Sequence, residues 1–229
     1  EAGSDSAAIR TTADRDEATG EYVLNGEKIY VTSGERADLV VVWASLDRSV
    51  GRAAIKSFIV ERSNPGMTLD RLEHKLGIRA SDTAAFHLQD CRVPADALLG
   101  APEIDTKAGF GGVMQTFDNT RPLVAGMAIG VAKACLDETR ALVKQAGVPV
   151  DVHLTPAMNQ HAAAGRLQAM EADWEAARLM ALRAAWMAEN REPNSVQASM
   201  AKAKAARVGT EIALGCVELA GSFGYSEVS

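Results

Sequence analysis

Four consecutive polar residues, Asp118-Asn119-Thr120-Arg121, interrupt an otherwise apolar stretch of the 229-residue sequence. A carboxylate and a guanidinium three residues apart share one face of a helix. Together they could serve a binding site that needs a fixed cation. The same cluster also reads as a helix start, with Asp118 or Thr120 as cap and Pro122 at the first helical position. Pattern alone leaves both readings open. Gly3-Ser4-Asp5 is equally two-sided: a turn, or backbone N–H groups and a hydroxyl brought to a ligand. The other reactive residue types are dispersed. His74, His87, His153 and His161 are scattered and read as surface or helix-packing residues. Cys91, Cys135 and Cys216 are odd in number, widely spaced and without a Cys-x-x-Cys pair. That argues against a disulfide framework or a cysteine zinc site, and no metal site is expected. Glu171, Asp173 and Glu175 do not share a helical face and read as solvated surface. Dinucleotide, P-loop, serine-hydrolase and HExxH zinc motifs are all missing.

The elements that must carry these residues fall into two halves. Up to about Gly100 the chain reads as short strands, suggesting an antiparallel sandwich or barrel. Tyr22-Val23-Leu24, Asn25-Gly26 and Lys28-Ile29-Tyr30-Val31-Thr32 spell a hairpin with a type I′ turn. Leu39 to Ala44 reads as a buried strand. Ile55 to Glu61 is another, with Phe58 and Val60 on one face. Asn64-Pro65-Gly66 is a turn, Met67 to Leu72 alternates, and Pro94 ends the strand that begins near Ala84. Beyond Gly100 the pattern turns helical. Lys107 to Gln145 places apolar residues three and four apart, with Pro122 expected to start or kink a helix there. Gly126 and Gly130 could let another helix approach closely. Val148 to Pro156 is a linker, Ala157 to Asn190 a second helix, and Ser195 to Leu219 a third with Ser195 as N-cap. Of 41 alanines, 27 lie after residue 100. Alanine favours helix and permits tight packing, so its imbalance marks a domain change. The expected class is therefore α+β, with a β domain over 1–100 and a helical bundle over 101–229. With aromatics at 5%, the core is expected to be aliphatic. A net charge of −6 argues against nucleic-acid binding. No run approaches the roughly 18 apolar residues of a spanning helix, so no membrane role is expected. The chain opens on Glu1 without an initiator Met or targeting peptide and is expected to be a piece of something longer.

Nine segments in order give the sequence a family likeness. They are Glu1-Ala2-Gly3-Ser4-Asp5, Leu24 to Gly34, Phe58-Ile59-Val60-Glu61, Pro65-Gly66 and Lys75-Leu76-Gly77-Ile78-Arg79. Cys91-Arg92-Val93-Pro94, Leu98-Leu99-Gly100, Phe117 to Pro122 and Leu219 to Tyr225 complete the set. On these the chain resembles the acyl-CoA dehydrogenases, colinearly over essentially its whole length. The resemblance implies the family's central β domain and most of its C-terminal antiparallel helical bundle, with the N-terminal helical domain absent. It also implies FAD as cofactor and α,β-dehydrogenation of an acyl-CoA thioester. In that reaction a carboxylate takes the α proton and hydride leaves the β carbon for flavin N5. Hydrogen bonds to the thioester carbonyl stabilise the enolate. Electrons would pass to an electron-transfer flavoprotein.

Residue by residue, the resemblance assigns Ser4 to the acyl-CoA and Gly3 to a flavin-binding turn. Tyr30, Val31 and Thr32 would lie against the flavin, with the Thr32 hydroxyl near N5. Strand alternation would put residues 30 and 32 on one ligand face. Asp118 and Arg121 would bind substrate. Some members carry the base on this same helix, where this chain has Thr120; threonine cannot serve, so no catalytic base is expected before Ser229. Two positions that serve a neighbouring subunit's FAD in many members are altered. Ala146 stands in place of an Arg, and Glu218 in place of a Gln, where a carboxylate would repel pyrophosphate. Three readings follow: a homo-oligomeric acyl-CoA dehydrogenase, one subunit of a hetero-oligomeric one acting on sterol-derived or other bulky CoA esters, or a flavin-free scaffold. The expected compartment is a bacterial cytoplasm, with a mitochondrial matrix as alternative.

Overall fold

Val, Ile, Phe and Tyr at alternate positions favour strands, and alanine-rich stretches favour helix. The computed structural model follows that division and describes residue 5 and residues 8–106, 111–150 and 156–226. It comprises two compact units, Glu1–Gly112 and Val113–Ser229. Seven strands precede three long helices: β1 (Thr12–Arg15), β2 (Tyr22–Thr32), β3 (Leu39–Ser45), β4 (Ile55–Glu61), β5 (Met67–Leu72), β6 (Thr83–Val93) and β7 (Leu98–Leu99), then α1 (Gly111–Gln145), α2 (Ala162–Glu189) and α3 (Ser195–Ala220). The class is α+β, as expected. None of the described helices is long and apolar enough to cross a membrane.

The strands form one open sheet in the order β5-β6-β2-β1-β3-β4-β7. Every pairing is antiparallel except the short contact of β1 with β3. The expected hairpin at Asn25-Gly26 does not form. The chain runs straight on as β2, and β2 pairs along its length with β6, bulging between Leu24 and Gly26. Gly26 has φ +143°, and a Cβ there would stand 2.9 Å from the Cα of Thr11. The Asn25 Oδ1 accepts the Asp90 N–H at 2.8 Å. The Asn-Gly pair thus supplies a bulge and a close backbone approach, which need the same residue types as a turn. A similar crossing fixes Gly66, where a Cβ would fall 2.4 Å from the Cys91 Cα.

Leu39 to Ala44 is a strand, but half of it is exposed: Val40, Val42 and Ala44 face the core while Leu39 and Val41 face out. In the sheet-end strand β5 only Met67 is buried. The core carries Leu24, Val42, Val60 and Val93, but its two largest fully buried side chains are Phe58 and Phe86. Three of the few aromatics, Tyr22, Phe58 and Phe86, are therefore placed at the centre of the sheet unit. Tyr22 meets Phe58 edge-on at 5.1 Å, and Arg62 lies over Phe86 at 5.0 Å.

The helical unit packs on small residues. Ala198, Ala201, Ala205, Val208, Ile212 and Cys216 repeat at three- and four-residue spacing along α3 and are all buried. Ala125, Ala132, Leu136, Leu167, Ala177 and Ala184 complete much of that core. The close approaches lie at Gly209, against Ala128, and Gly215, against Met170. Gly126 and Gly130 were expected to provide them, but both are exposed on α1 and an added Cβ at either meets nothing. Their spacing placed them together on a face, but turned away from the unit's own core. α2 begins later than expected, after the short helical turn Ala157–Asn159, and is capped by His161, whose Nδ1 accepts the Ala163 N–H at 3.2 Å. Asp173 is exposed and Glu171 and Glu175 are half-buried; they pair with Lys204, Arg140 and Arg178 respectively.

Candidate functional site

Each unit contributes one group of the residues assigned from sequence. In the sheet unit that group is the end of β2. Regular alternation breaks there, because the β2–β6 register shifts between Lys28 and Val31. Tyr30 takes the left-handed conformation with φ 61°, and Ser33 follows with φ 56°. Two non-glycine residues in that region within four positions make a strained segment, held by its surroundings. The Ser33 N–H donates to the Asp82 carbonyl at 2.9 Å, and the Glu35 N–H donates to Asp82 Oδ2 at 2.9 Å. Gly34 packs against Ala84 and Phe86 so closely that a Cβ would lie 2.8 Å from each. The regular strand expected for residues 30–32 is thus replaced by a bulge. Tyr30 is 69% exposed, Val31 packs on the core and Thr32 is exposed. Neither the Tyr30 phenol nor the Thr32 hydroxyl forms a side-chain hydrogen bond within the described residues, so an aromatic face and a hydroxyl are presented outward. Gly3 and Ser4 lie outside the described residues.

Close by in sequence, Lys28 is a group that sequence patterning did not single out. Its Nζ donates to the Trp43 carbonyl at 2.5 Å. Among the described residues no carboxylate pairs with it, and burial pulls the amine down to about 8.

In the helical unit the second group lies in mid-helix. α1 runs unbroken through Pro122, so Asp118 to Arg121 do not start a helix. The Arg121 Nη1 donates to Asp118 Oδ1 at 2.6 Å, and the guanidinium lies 5.9 Å from the Phe117 ring centre. No other hydrogen bond joins Arg121 to a described residue. Its remaining N–H groups are therefore available to an anionic or carbonyl ligand. Both side chains are partly buried, which strengthens a cation there relative to one in open water. Thr120 donates its hydroxyl to the Phe117 carbonyl at 3.3 Å. Two further residues join this cluster from the start of α3. Ser195 Oγ donates to Asp118 Oδ1 at 3.0 Å, and Asn194 Nδ2 reaches the Asp118 carbonyl at 3.5 Å. Ser195 was expected as an N-cap, but the helix begins on it and the cap position is Asn194. Pro122 was the available signal: a mid-helix proline leaves a carbonyl seeking a donor, though only the fold shows which donor arrives.

Toward the other end of the bundle, a cleft of about 450 Å³ is lined by Cys135, Glu138, Thr139, Cys216, Ala220 and Phe223. Glu218 on α3 is not a lone carboxylate: it pairs with Arg166 of α2. The repulsion expected of Glu218 toward a phosphate is correspondingly offset by a neighbouring cation.

Two family models match the chain. The middle domain of acyl-CoA dehydrogenase matches residues 1–91, and its C-terminal domain matches residues 107–229. The chain belongs to the acyl-CoA dehydrogenase family. The short-chain specific mitochondrial acyl-CoA dehydrogenase of Rattus norvegicus is 39% identical over 229 residues, covering 97% of this chain and 52% of the relative. The solved butyryl-CoA dehydrogenase of Megasphaera elsdenii superposes with a TM-score of 0.89 at 35% identity, covering 100% of this chain and 57% of that one. A chain of the structure described as the electron transferring flavoprotein of Acidaminococcus fermentans gives 0.86 at 33% identity, covering 99% and 57%. The chain thus spans about half the length of the relatives it matches.

Proposed function

We propose that the protein acts as a FAD-dependent acyl-CoA dehydrogenase, introducing a double bond between the α and β carbons of an acyl-CoA thioester. The observation that carries this reading is the Asp118–Arg121 pair: a partly buried guanidinium, oriented by a carboxylate, with most of its donors unused among the described residues, on the helix where the family binds substrate. Arg121 would hold the acyl-CoA by charge and hydrogen bonding. Asp118 would fix the plane of that guanidinium. Ser4 would contact the acyl-CoA and Gly3 the flavin.

The exposed Tyr30 ring and Thr32 hydroxyl, with Val31 anchoring them on the core, suit a flat polar-edged ring system such as isoalloxazine. Tyr30, Val31 and Thr32 would hold FAD, which would supply the hydride acceptor. The strained backbone at Tyr30 and Ser33 would hold ring and hydroxyl in place before binding, so that little ordering remains to be done at that moment. Thr120 cannot act as base, because its hydroxyl is far too weakly basic and already donates to Phe117. The reading therefore takes the carboxylate base from outside residues 1–229. Electrons would leave to an electron-transfer flavoprotein, and the working form would be an oligomer, in a bacterial cytoplasm or a mitochondrial matrix.

A second reading makes the chain one subunit of a hetero-oligomeric dehydrogenase, acting on sterol-derived or similarly bulky CoA esters. Ala146 in place of a cation at the neighbour's flavin favours it; the Arg166 partner of Glu218 weakens one of its two supports. Purified complete protein is expected to show a flavin absorbance spectrum that bleaches on adding acyl-CoA. Arg121→Ala is expected to keep the flavin and lose turnover by about a hundredfold or more, the scale of one lost transition-state donor. A colourless protein that binds no acyl-CoA would overturn the proposal. One FAD per chain and full activity without a second subunit would eliminate the hetero-oligomer.

A further inference from the structure

The helix α1 contains a defect that the bundle repairs from outside, and the repair falls on the residue that orients Arg121. Proline has no N–H, so Pro122 gives nothing to the carbonyl four residues back, which is that of Asp118. That carbonyl sits within reach of the Asn194 amide, whose Nδ2 has two hydrogens. One points to the Ala184 carbonyl at 3.1 Å and the other to the Asp118 carbonyl at 3.5 Å, a long bond. Asn194 is only 6% exposed, and it stands at the N-cap of α3 without capping it. An N-cap asparagine ordinarily turns its side chain onto its own helix. Here it turns across to two other helices. The next residue acts on the same target, since Ser195 Oγ donates to Asp118 Oδ1, the oxygen that also receives Arg121. Two consecutive residues, the N-cap Asn194 and the first α3 residue Ser195, thus hold Asp118 by backbone and by side chain.

We propose that Asn194 and Ser195 are positioning residues for acyl-CoA: they fix Asp118 so that Arg121 is aimed before the ligand arrives. This rests on the reading of Asp118 and Arg121 as the substrate pair. The physical basis is pre-organisation. An Asp118 carboxylate held by Ser195, on a backbone tied by Asn194, leaves Arg121 fewer orientations to lose on binding. An arginine on an unrestrained partner would have to be ordered by the ligand itself.

The test measures the Kd of a non-oxidisable acyl-CoA analogue by calorimetry on the complete flavoprotein, alongside flavin content. Ser195 is exposed, so Ser195→Ala is expected to fold normally and to weaken binding by about tenfold, the scale of one charge-assisted hydrogen bond. Ser195→Thr, which keeps the hydroxyl, is expected to restore it. Asn194→Leu is expected to weaken binding similarly and also to lower thermal stability. Adding Pro122→Ala to Asn194→Leu is expected to recover most of the loss, because residue 122 then supplies its own N–H to the Asp118 carbonyl. If Arg121→Ala weakens binding while Ser195→Ala and Asn194→Leu leave Kd unmoved, the two residues are merely structural. The positioning role then falls while the substrate pair stands. If Arg121→Ala also leaves Kd unmoved, the substrate pair itself is wrong and the proposal falls with it.

Discussion

The sheet unit and the helical unit bury their interiors by opposite means. The sheet fills its centre with a few large side chains, Phe58, Phe86 and Leu24, and lets the backbone approach closely at Gly26 and Gly66. Among the described residues the bundle buries no aromatic side chain; its largest central residues are Leu136, Leu167 and Ile212. It brings helices together on Ala177, Ala184, Ala198, Ala201 and Ala205, so that backbones themselves come near. The candidate site residues reflect the same contrast. In the sheet, Tyr30 and Thr32 are presented by a local irregularity of one strand. In the bundle, Asp118 and Arg121 lie on a regular helix and are held by side chains from another helix. The strand irregularity is held by Asp82, Ala84 and Phe86, through backbone bonding and close packing against β2, whereas the helical pair is held by side-chain hydrogen bonds from the start of α3.

Four outcomes would break or sharpen that contrast, each read by denaturant unfolding of the complete protein with hydrogen exchange to assign the loss to a unit. The largest is Phe58→Ala, expected to destabilise the sheet unit by about 3–5 kcal/mol through lost burial and a cavity. Exchange protection in the bundle should change little. The converse substitution, Ala201→Leu, is expected to cost the bundle about 1–3 kcal/mol by overpacking. A neutral Ala201→Leu would show that the helices have slack and would end the contrast. Of similar size to the overpacking cost is the effect of pH on Lys28. Its amine is lowered in the folded protein to about 8, against an ordinary value of 10.5. Between those values the unfolded chain holds the proton and the native one does not, so stability should rise as pH goes from 8 to 10.5 and fall back as pH drops through 8. Lys28→Met should flatten that rise; an unchanged slope would assign it to another group. The smallest change is a gain: Gly126→Ala, in an open stretch of α1, should stabilise by up to about 1 kcal/mol from helix propensity. A loss there would instead mean that another surface packs against this face.

Local chemistry carried much of the fold. Strands at Ile55–Glu61 and near Ala84, the proline stop at Pro94 and the long helices were legible because alternation and alanine content are properties of neighbouring residues. Asn25-Gly26 was misleading because a bulge and a turn demand the same permissive residues; Thr11, lying against Gly26, decided between them. Gly126 and Gly130 misled for a related reason: four-residue spacing says that two glycines share a face but not which way it looks. At the site, Asp118 and Arg121 were visible as a pair with two open readings, and the unbroken course of α1 through Pro122 removed the helix-start reading. Asn194 and Ser195 carried no signal beyond a helix boundary.

The sequence alone determined the α+β class, the order of sheet before bundle and the family, because each is written in local patterns or in colinear motifs. Only the tertiary structure decided that β2 is one bulged strand, that Glu218 has Arg166 beside it, and that the start of α3 repairs the gap left by Pro122. Each of those depends on a partner far away in the chain, such as the 76 residues between Asp118 and Asn194. Such pairings are chosen by packing, where burial and hydrogen bonding are satisfied together, and no pattern within a single segment encodes them.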